Sequence, residues 1–387
     1  QSMPFFPNHL KSKLPKVGTT VFSIMSKLAI EHDAINLSQG FPDFDCDPEL
    51  LRLANKYMEK GYNQYAPMPG IIGLRLAIHE KVKHLYSMGY DPEKEITITS
   101  GATQAIFTAI SAVINEDDEV IIFEPAYDCY GPAVELNGGI PIYIEMEAPE
   151  YSINWENVKR MVSGKTKMII INSPHNPTGA TLNKSDMEQL IKITADSEII
   201  ILSDEVYEHV IFDGKKHLSV SMYPELADRS FVVASFGKVF HITGWKMGYC
   251  LGPSNLMAEF RKIHQYNVFS SNTPLQYALA EYLENKEHYL SLPSFFTEKR
   301  DTFLKEMKSS RFNFIPTNGS YFVLADYSKI SDESDMQFCS RMTIDTGVAA
   351  IPVSSFYSNG IDNKVIRFCF AKKDETLIEA AKLLCKI

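Results

Sequence analysis

The chain has 387 residues, 45% hydrophobic and 22% charged, with a formal net charge of −10 at pH 7. That length calls for two lobes, the composition excludes a disordered or fibrous chain, and the acidic balance without a basic stripe argues against nucleic acid as a partner. Six scattered cysteines with no CxxC pair read as reduced thiols of a cytoplasmic protein, and not as a disulfide framework or a metal site.

In chain order, Gln1-Ser2 ahead of Met3 reads as a cloning remnant, and no compact hydrophobic signal segment follows it. Residues 1–24, with Pro4, Pro7, Pro15 and Gly18, read as an extended arm that packs on something other than itself. A short helix over 22–30 and the turn-rich loop Asn36-Leu37-Ser38-Gln39-Gly40-Phe41-Pro42 come next. From about residue 48, helices alternate with short apolar runs. Ile96–Thr99 precedes a helix from Thr103 to Asn115. Glu119–Phe123, Ile140–Ile144, Lys167–Ile171, Ile199–Ser203 and Phe231–Ala234 follow, with a helix at 185–195 between two of them. Runs of this kind are buried on both faces, the signature of a mostly parallel sheet covered by helices in an α/β fold. Past Pro293 a charged helix near 294–309, strands at Tyr321–Leu324 and Val365–Phe370, and a helix from Asp374 predict a smaller α+β lobe. The predicted division is a large domain over 46–289 and a small domain built from 25–45 and 290–387. No apolar run reaches membrane-spanning length.

In parallel sheets ligands bind beyond the carboxyl ends of the strands. Three consecutive runs end in Asn172-Ser173-Pro174-His175-Asn176-Pro177-Thr178-Gly179, in Asp204-Glu205-Val206-Tyr207, and in Ser235-Phe236-Gly237-Lys238. They aim Asn176, Asp204, Tyr207 and Lys238 at one crevice. A lysine desolvated there becomes a nucleophilic amine able to form a Schiff base. Alone, Asp204 would read as a helix N-cap, Lys238 as a surface charge and Asn176-Pro177 as a turn. Together they match the needs of pyridoxal phosphate, with Asp204 beside the ring nitrogen, Tyr207 and Asn176 near the phenolic oxygen, and Lys238 on the aldehyde. Ser100-Gly101-Ala102-Thr103 opens a helix, where backbone N–H groups favour a phosphate, and Ser235 and Lys246 complete the cup. Tyr127 can lie against the cofactor ring. Arg367, alternating within Val365-Ile366-Arg367-Phe368, is the planar fork for a substrate carboxylate. Gly237-Lys238 is no P-loop, since Val232 and Val239 stand where that motif needs Gly and Ser or Thr. His175 and His241 lack metal-ligand spacing, so no metal is expected.

The set Asn-Pro-Thr-Gly, Asp-x-x-Tyr, Ser-x-Gly-Lys and the late arginine resembles the class I pyridoxal-phosphate aminotransferases of fold type I, over essentially the whole chain. Ser38-Gln39-Gly40-Phe41-Pro42-Asp43-Phe44, Glu124-Pro125-Ala126-Tyr127-Asp128-Cys129-Tyr130 and Thr243-Gly244-Trp245-Lys246 resemble the branch of kynurenine, glutamine–phenylpyruvate and bacterial methionine aminotransferases. Lys246 is usual in that branch, whereas aspartate aminotransferases place arginine there. The resemblance implies that Tyr65 reaches the phosphate of a neighbouring subunit in a homodimer. It also implies that the Gly40 backbone meets the substrate carboxylate and that Phe22 is a pocket aromatic. The activity implied is ping-pong transfer of the amino group of a large apolar or aromatic amino acid to a 2-oxo acid, with methionine first and phenylalanine, tyrosine or kynurenine next. Two alternatives use the same fold: a carbon–sulfur β-lyase acting on cysteine conjugates, and a non-catalytic effector-binding domain.

Overall fold

Six of the apolar runs and one further strand form a single sheet in the computed structural model, which describes residues 2–387. Gln1 of the expected remnant lies outside the described residues. After β1 (Ile35–Asn36), the strands are β2 (Ile96–Thr99), β3 (Glu119–Glu124), β4 (Ile140–Glu145), β5 (Thr166–Asn172), β6 (Ile200–Asp204), β7 (Ser230–Ser235) and β8 (Gly248–Leu251). Their order across the sheet is β2-β8-β7-β6-β5-β3-β4. All neighbours are parallel except β8, which runs antiparallel to both β2 and β7. The sequence gives little sign of β8, because Gly-Tyr-Cys-Leu has no β-branched residue and no alternation. Strands β2, β6, β7 and β8 are buried at every position, as a sheet covered on both faces requires.

The register sets the strand ends level. Asn172 of β5 pairs with Asp204 of β6, and Asp204 pairs with Val233 of β7, two residues before Ser235. Three chemistry-bearing turns therefore leave the same edge of the sheet within two strand spacings, roughly 10 Å.

A second, antiparallel sheet of order β12-β13-β10-β9 joins β9 (Asn313–Ile315), β10 (Phe322–Asp326), β12 (Ile351–Pro352) and β13 (Val365–Cys369). β1 pairs in parallel with β11 (Val348–Ala349). The loop after β1 is thus tied to the C-terminal part of the chain, and the 38–44 segment comes to lie against β13.

The first helix, α1 (Val21–Glu31), starts inside the expected arm. Thr20 accepts from the Ser23 amide and caps it, while Met25 and Ala29 face the core. Residues 2–13 are exposed and without regular structure. Helices α2 (Pro48–Glu59), α3 (Ile72–Tyr86) and α4 (Ala102–Val113) precede β2 or flank it. The helix expected at 185–195 spans Lys184–Thr194 behind a reciprocal Asn183–Asp186 capping box. That expected near 294–309 spans Leu292–Glu306. No helix among the described residues is long and apolar enough to cross a membrane.

Candidate active site

Asp204 ends β6 with 3% of its surface exposed. The Tyr130 hydroxyl donates to its Oδ2 at 2.5 Å and the Val206 amide to its Oδ1 at 3.3 Å. Burial raises its carboxyl to about 6, against the pull of those two hydrogen bonds and of the Lys238 charge. A carboxylate so placed is short of a cation. One strand over, the Asn172 side chain donates to the Asp204 carbonyl at 3.0 Å and accepts from the Asn176 amide at 3.0 Å. That one amide fixes the 173–179 loop to the end of β6.

Lys238 lies in the short helix Phe236–Val239, whose N-cap Ser235 accepts from the Lys238 amide at 3.1 Å. Its Nζ donates to the Gly40 carbonyl at 3.4 Å. Burial, helped by the cationic Arg367 and Lys246, lowers the amine to about 8. Tyr207 is almost fully buried, with its ring edge-on to Tyr321 at 5.0 Å and to Phe322 at 5.8 Å.

Arg367, in the middle of β13, is 1% exposed. It donates to Asn176 Oδ1 at 2.8 Å and to the Ser38 carbonyl at 2.9 Å. Its guanidinium stacks 3.9 Å from the Phe322 ring and lies 5.5 Å and 5.4 Å from Phe22 and Phe356. The buried Nε has no hydrogen-bond partner among the described residues. Burial lowers Arg367 to about 10. Among the described residues no carboxylate pairs with this buried guanidinium, which suits it to receive one. Gly40 permits the close approach: a Cβ there would stand 3.1 Å from Phe322 and 3.9 Å from Arg367 Nη2.

At the other end of the crevice, α4 begins at Gly101 with φ +85° and no side-chain cap. Its first amides, Ala102 and Thr103, are open to an anion. A Cβ on Gly101 would fall 2.9 Å from Lys246 Nζ, so the lysine overhangs the helix start. Burial pushes the Tyr127 hydroxyl well up, with the neighbouring Thr103 side chain pulling the other way. Lys238, Asn176, Tyr207, Arg367, Gly40, Phe22 and Tyr127 line a pocket of ≈ 340 Å³. Tyr65 is not in it; that ring is 84% exposed, against Phe269 at 5.2 Å. An anion cup, a nucleophilic amine and a buried carboxylate wanting a cation fit pyridoxal phosphate, whose phosphate, aldehyde and ring nitrogen answer them in turn.

The family model for aminotransferases of class I and II matches residues 32–384. The chain belongs to that family. The methionine aminotransferase of Escherichia coli (strain K12) is 46% identical over 375 residues, covering 97% of each chain. A crystal structure from the same organism, described as identifying a methionine aminotransferase function, superimposes with a TM-score of 0.97 at 46% identity, covering 98% of this chain and all of that one. The N-succinyldiaminopimelate aminotransferase structure from Mycobacterium tuberculosis follows at TM-score 0.93 and 35% identity, covering 98% and 100%. Human kynurenine–oxoglutarate transaminase 3 is 33% identical over 96% of this chain and 89% of its own. The fold is that of the fold type I aminotransferases, and this protein is an aminotransferase. Neither the carbon–sulfur lyase nor the non-catalytic reading is favoured by these relatives.

Several residues of this aminotransferase site escaped the sequence. Tyr130, the donor to Asp204, lies three residues beyond Tyr127 after the same strand, a spacing that could have flagged it. Ser38, Tyr321, Phe322 and Phe356 carry no signal of their own, because only the meeting of the two sheets brings them to the site, and Asn172 is placed by the β5–β6 register. His175 bonds Thr178 at 2.6 Å, and His241 sits among Phe44, Phe295 and Phe296; both belong to the packing.

Behind the Asp204–Tyr207 turn lies a buried polar network. Lys81 of α3 donates to Glu208 at 2.6 Å and to Tyr249 at 2.8 Å, and Tyr86 donates to Glu208 at 2.6 Å. His217 contacts Glu205 at 2.7 Å. Against the upward pull of burial, Lys81, His209 and these hydrogen bonds hold Glu208 at about 2. Neighbouring side chains of one turn thus face different ways, with Tyr207 toward the pocket, Asp204 toward Tyr130, and Glu205 and Glu208 toward the network.

Proposed function

We propose that this aminotransferase uses pyridoxal phosphate to move the amino group of a large apolar or aromatic amino acid to a 2-oxo acid. Methionine is the first expected donor, followed by phenylalanine, tyrosine and kynurenine. The observation that carries the reading is the convergence of Lys238, Asn176, Tyr207 and Arg367 on one pocket, with the buried Asp204 close enough to feel the Lys238 charge and Lys246 overhanging the α4 start.

Bound pyridoxal phosphate supplies an aldehyde and a cationic ring that takes up the electron pair of the substrate Cα–H bond. Lys238 would hold the cofactor aldehyde and, when free, would carry the substrate Cα proton on Nζ, a role to which an amine near 8 is matched. Asp204, oriented by Tyr130, would keep the ring nitrogen protonated. Tyr207 and Asn176 would donate to the phenolic oxygen. Ala102, Thr103, Ser235 and Lys246 would hold the phosphate, with Tyr127 against the ring. Arg367 and the Gly40 backbone receive the substrate carboxylate, and Asn176 steadies the arginine. Phe22 and the aromatics around Arg367 exclude water and favour an apolar side chain. The preference for methionine rests on the relative at 46% identity and on these apolar walls.

The same reading makes the protein a cytoplasmic homodimer with shared sites, in which Tyr65 reaches the partner's phosphate. The exposed rings of Tyr65 and Tyr266 and the exposed arm support it, as do the six free cysteines. The domain division is a large domain over 46–289, a small one from 25–45 and 290–387, and the arm 1–24. The test is a donor-by-acceptor panel on purified protein. Methionine and aromatic donors are expected to give the highest kcat/KM, with ping-pong kinetics; release of ammonia and pyruvate from cysteine conjugates without an acceptor would instead support the lyase.

A further inference from the structure

The loop from Ser38 to Phe41 forms one wall of the active-site pocket, where Gln39, Gly40 and Phe41 all line it. A loop keeps a fixed shape only where its backbone polar groups find partners. Here three of four successive carbonyls are held by buried side chains from the C-terminal part of the chain. Arg367 donates to the Ser38 carbonyl at 2.9 Å, the Tyr321 hydroxyl to the Gly40 carbonyl at 3.0 Å, and Lys372 to the Phe41 carbonyl at 2.8 Å. Arg367 already belongs to the site; Lys372 does not line the pocket.

Lys372 stands between β13 and the C-terminal helix Asp374–Leu384. It is 2% exposed and forms no ion pair among the described residues. Its Nζ also lies over the Phe41 ring, 5.4 Å from the centre. The ammonium thus meets Phe41 through both carbonyl and ring. A lysine is costly to bury without a carboxylate, so packing alone would be better served by an apolar residue. Just beyond, Pro42 has no N–H to tie the loop down. Asp43 then accepts from the Lys373 amide and the Thr376 hydroxyl, each at 2.6 Å. Gly40 therefore sits between two anchored peptides, one held by Arg367 and the other by Lys372.

We propose that Lys372 is a positioning residue for transamination: by anchoring Phe41 it sets the Gly40 backbone beside Arg367, so that both meet one substrate carboxylate. This rests on the reading of Arg367 and Gly40 as the carboxylate receiver and extends it to a residue outside the pocket. Lys238, Asp204 and the α4 start follow strands of the other sheet. Releasing Phe41 therefore falls on the substrate carboxylate and spares the cofactor.

The test uses the cofactor-loaded enzyme and two inhibitors of one shape, phenylpropionate and its uncharged carboxamide. The ratio of their inhibition constants isolates the carboxylate. K372M is expected to lower the advantage of the acid about tenfold, the worth of a hydrogen bond to a charged group, and to raise KM for methionine by a like factor. Its kcat and its cofactor retention in dialysis should stay within about threefold of wild type. The deficit should persist at about 1 M salt, where long-range charge is screened; a deficit that vanishes there shows a charge effect without positioning and overturns the assignment. Should K372M not fold, K372Q carries the same criteria. A merely structural lysine would weaken acid and carboxamide alike or release the cofactor. Either result, or a ratio within about twofold of wild type, also overturns it. R367Q separates the inference from the reading beneath it. An acid advantage lost in R367Q but kept in K372M removes Lys372 alone, whereas an advantage kept in R367Q removes the carboxylate site and this inference together.

Discussion

An ordinary lysine holds its proton to 10.5, whereas burial and two cationic neighbours bring Lys238 to about 8. Because the folded value is depressed, the unfolded chain binds this proton more tightly. The group therefore costs stability below pH 8, and the cost fades as pH rises from 8 to 10.5. K238M is expected to abolish transamination yet stabilise the cofactor-free protein at pH 7 by roughly 1 kcal/mol after solvent screening, measured by urea unfolding. That difference should shrink toward pH 10. Asp204 has the complementary problem, a buried carboxylate raised to about 6 and steadied by Tyr130. Removing that hydroxyl in Y130F should weaken cofactor retention about tenfold, the worth of a hydrogen bond to a charged group. Equilibrium dialysis of the cofactor would show it.

At the scale of elements, the helix start at Gly101 and the turn after β6 do most of the positioning. Gly101 combines a left-handed φ of +85° with a Cβ direction blocked by Lys246 at 2.9 Å. G101A is therefore expected to cost cofactor affinity about tenfold or more through strain and displacement of Lys246, read by the same dialysis. The network behind Asp204 and Tyr207 holds their turn from the other side. K81M would leave Glu208 buried without its cation, a loss of about 3–5 kcal/mol in urea unfolding near neutral pH. Glu208 is depressed from 4.5 to about 2, so its contribution is present above 4.5 and lost as pH falls through 2. The gap between K81M and the parent should close over that range.

For the whole molecule, one chain supplies every proposed group except Tyr65, which stands exposed and apart from its own pocket. Sedimentation is expected to give twice the 43.7 kDa of one chain. Y65F should lower cofactor retention about tenfold without changing that mass. A fully active particle of single-chain mass would end the shared-site reading. Both sheets contribute to the pocket: Arg367 comes from β13, while Asn176, Tyr207 and Lys238 follow β5, β6 and β7. Its geometry therefore depends on how the two sheets meet, and the Arg367–Asn176 bond spans that meeting.

The sequence by itself determined the mostly parallel sheet, since apolar β-branched runs and the turns that follow them are local signals, while the register that levels the strand ends came from the structure. It likewise singled out Asn176, Asp204, Tyr207 and Lys238 as candidates, because each sits at or just past the end of such a run. Strand β8, the Tyr130 and Asn172 contacts to Asp204 and the aromatic cage of Arg367 were decided by tertiary structure alone. Their partners lie from 32 to more than 300 residues apart, and nothing in a local pattern encodes which distant side chains meet when two sheets close around a cleft.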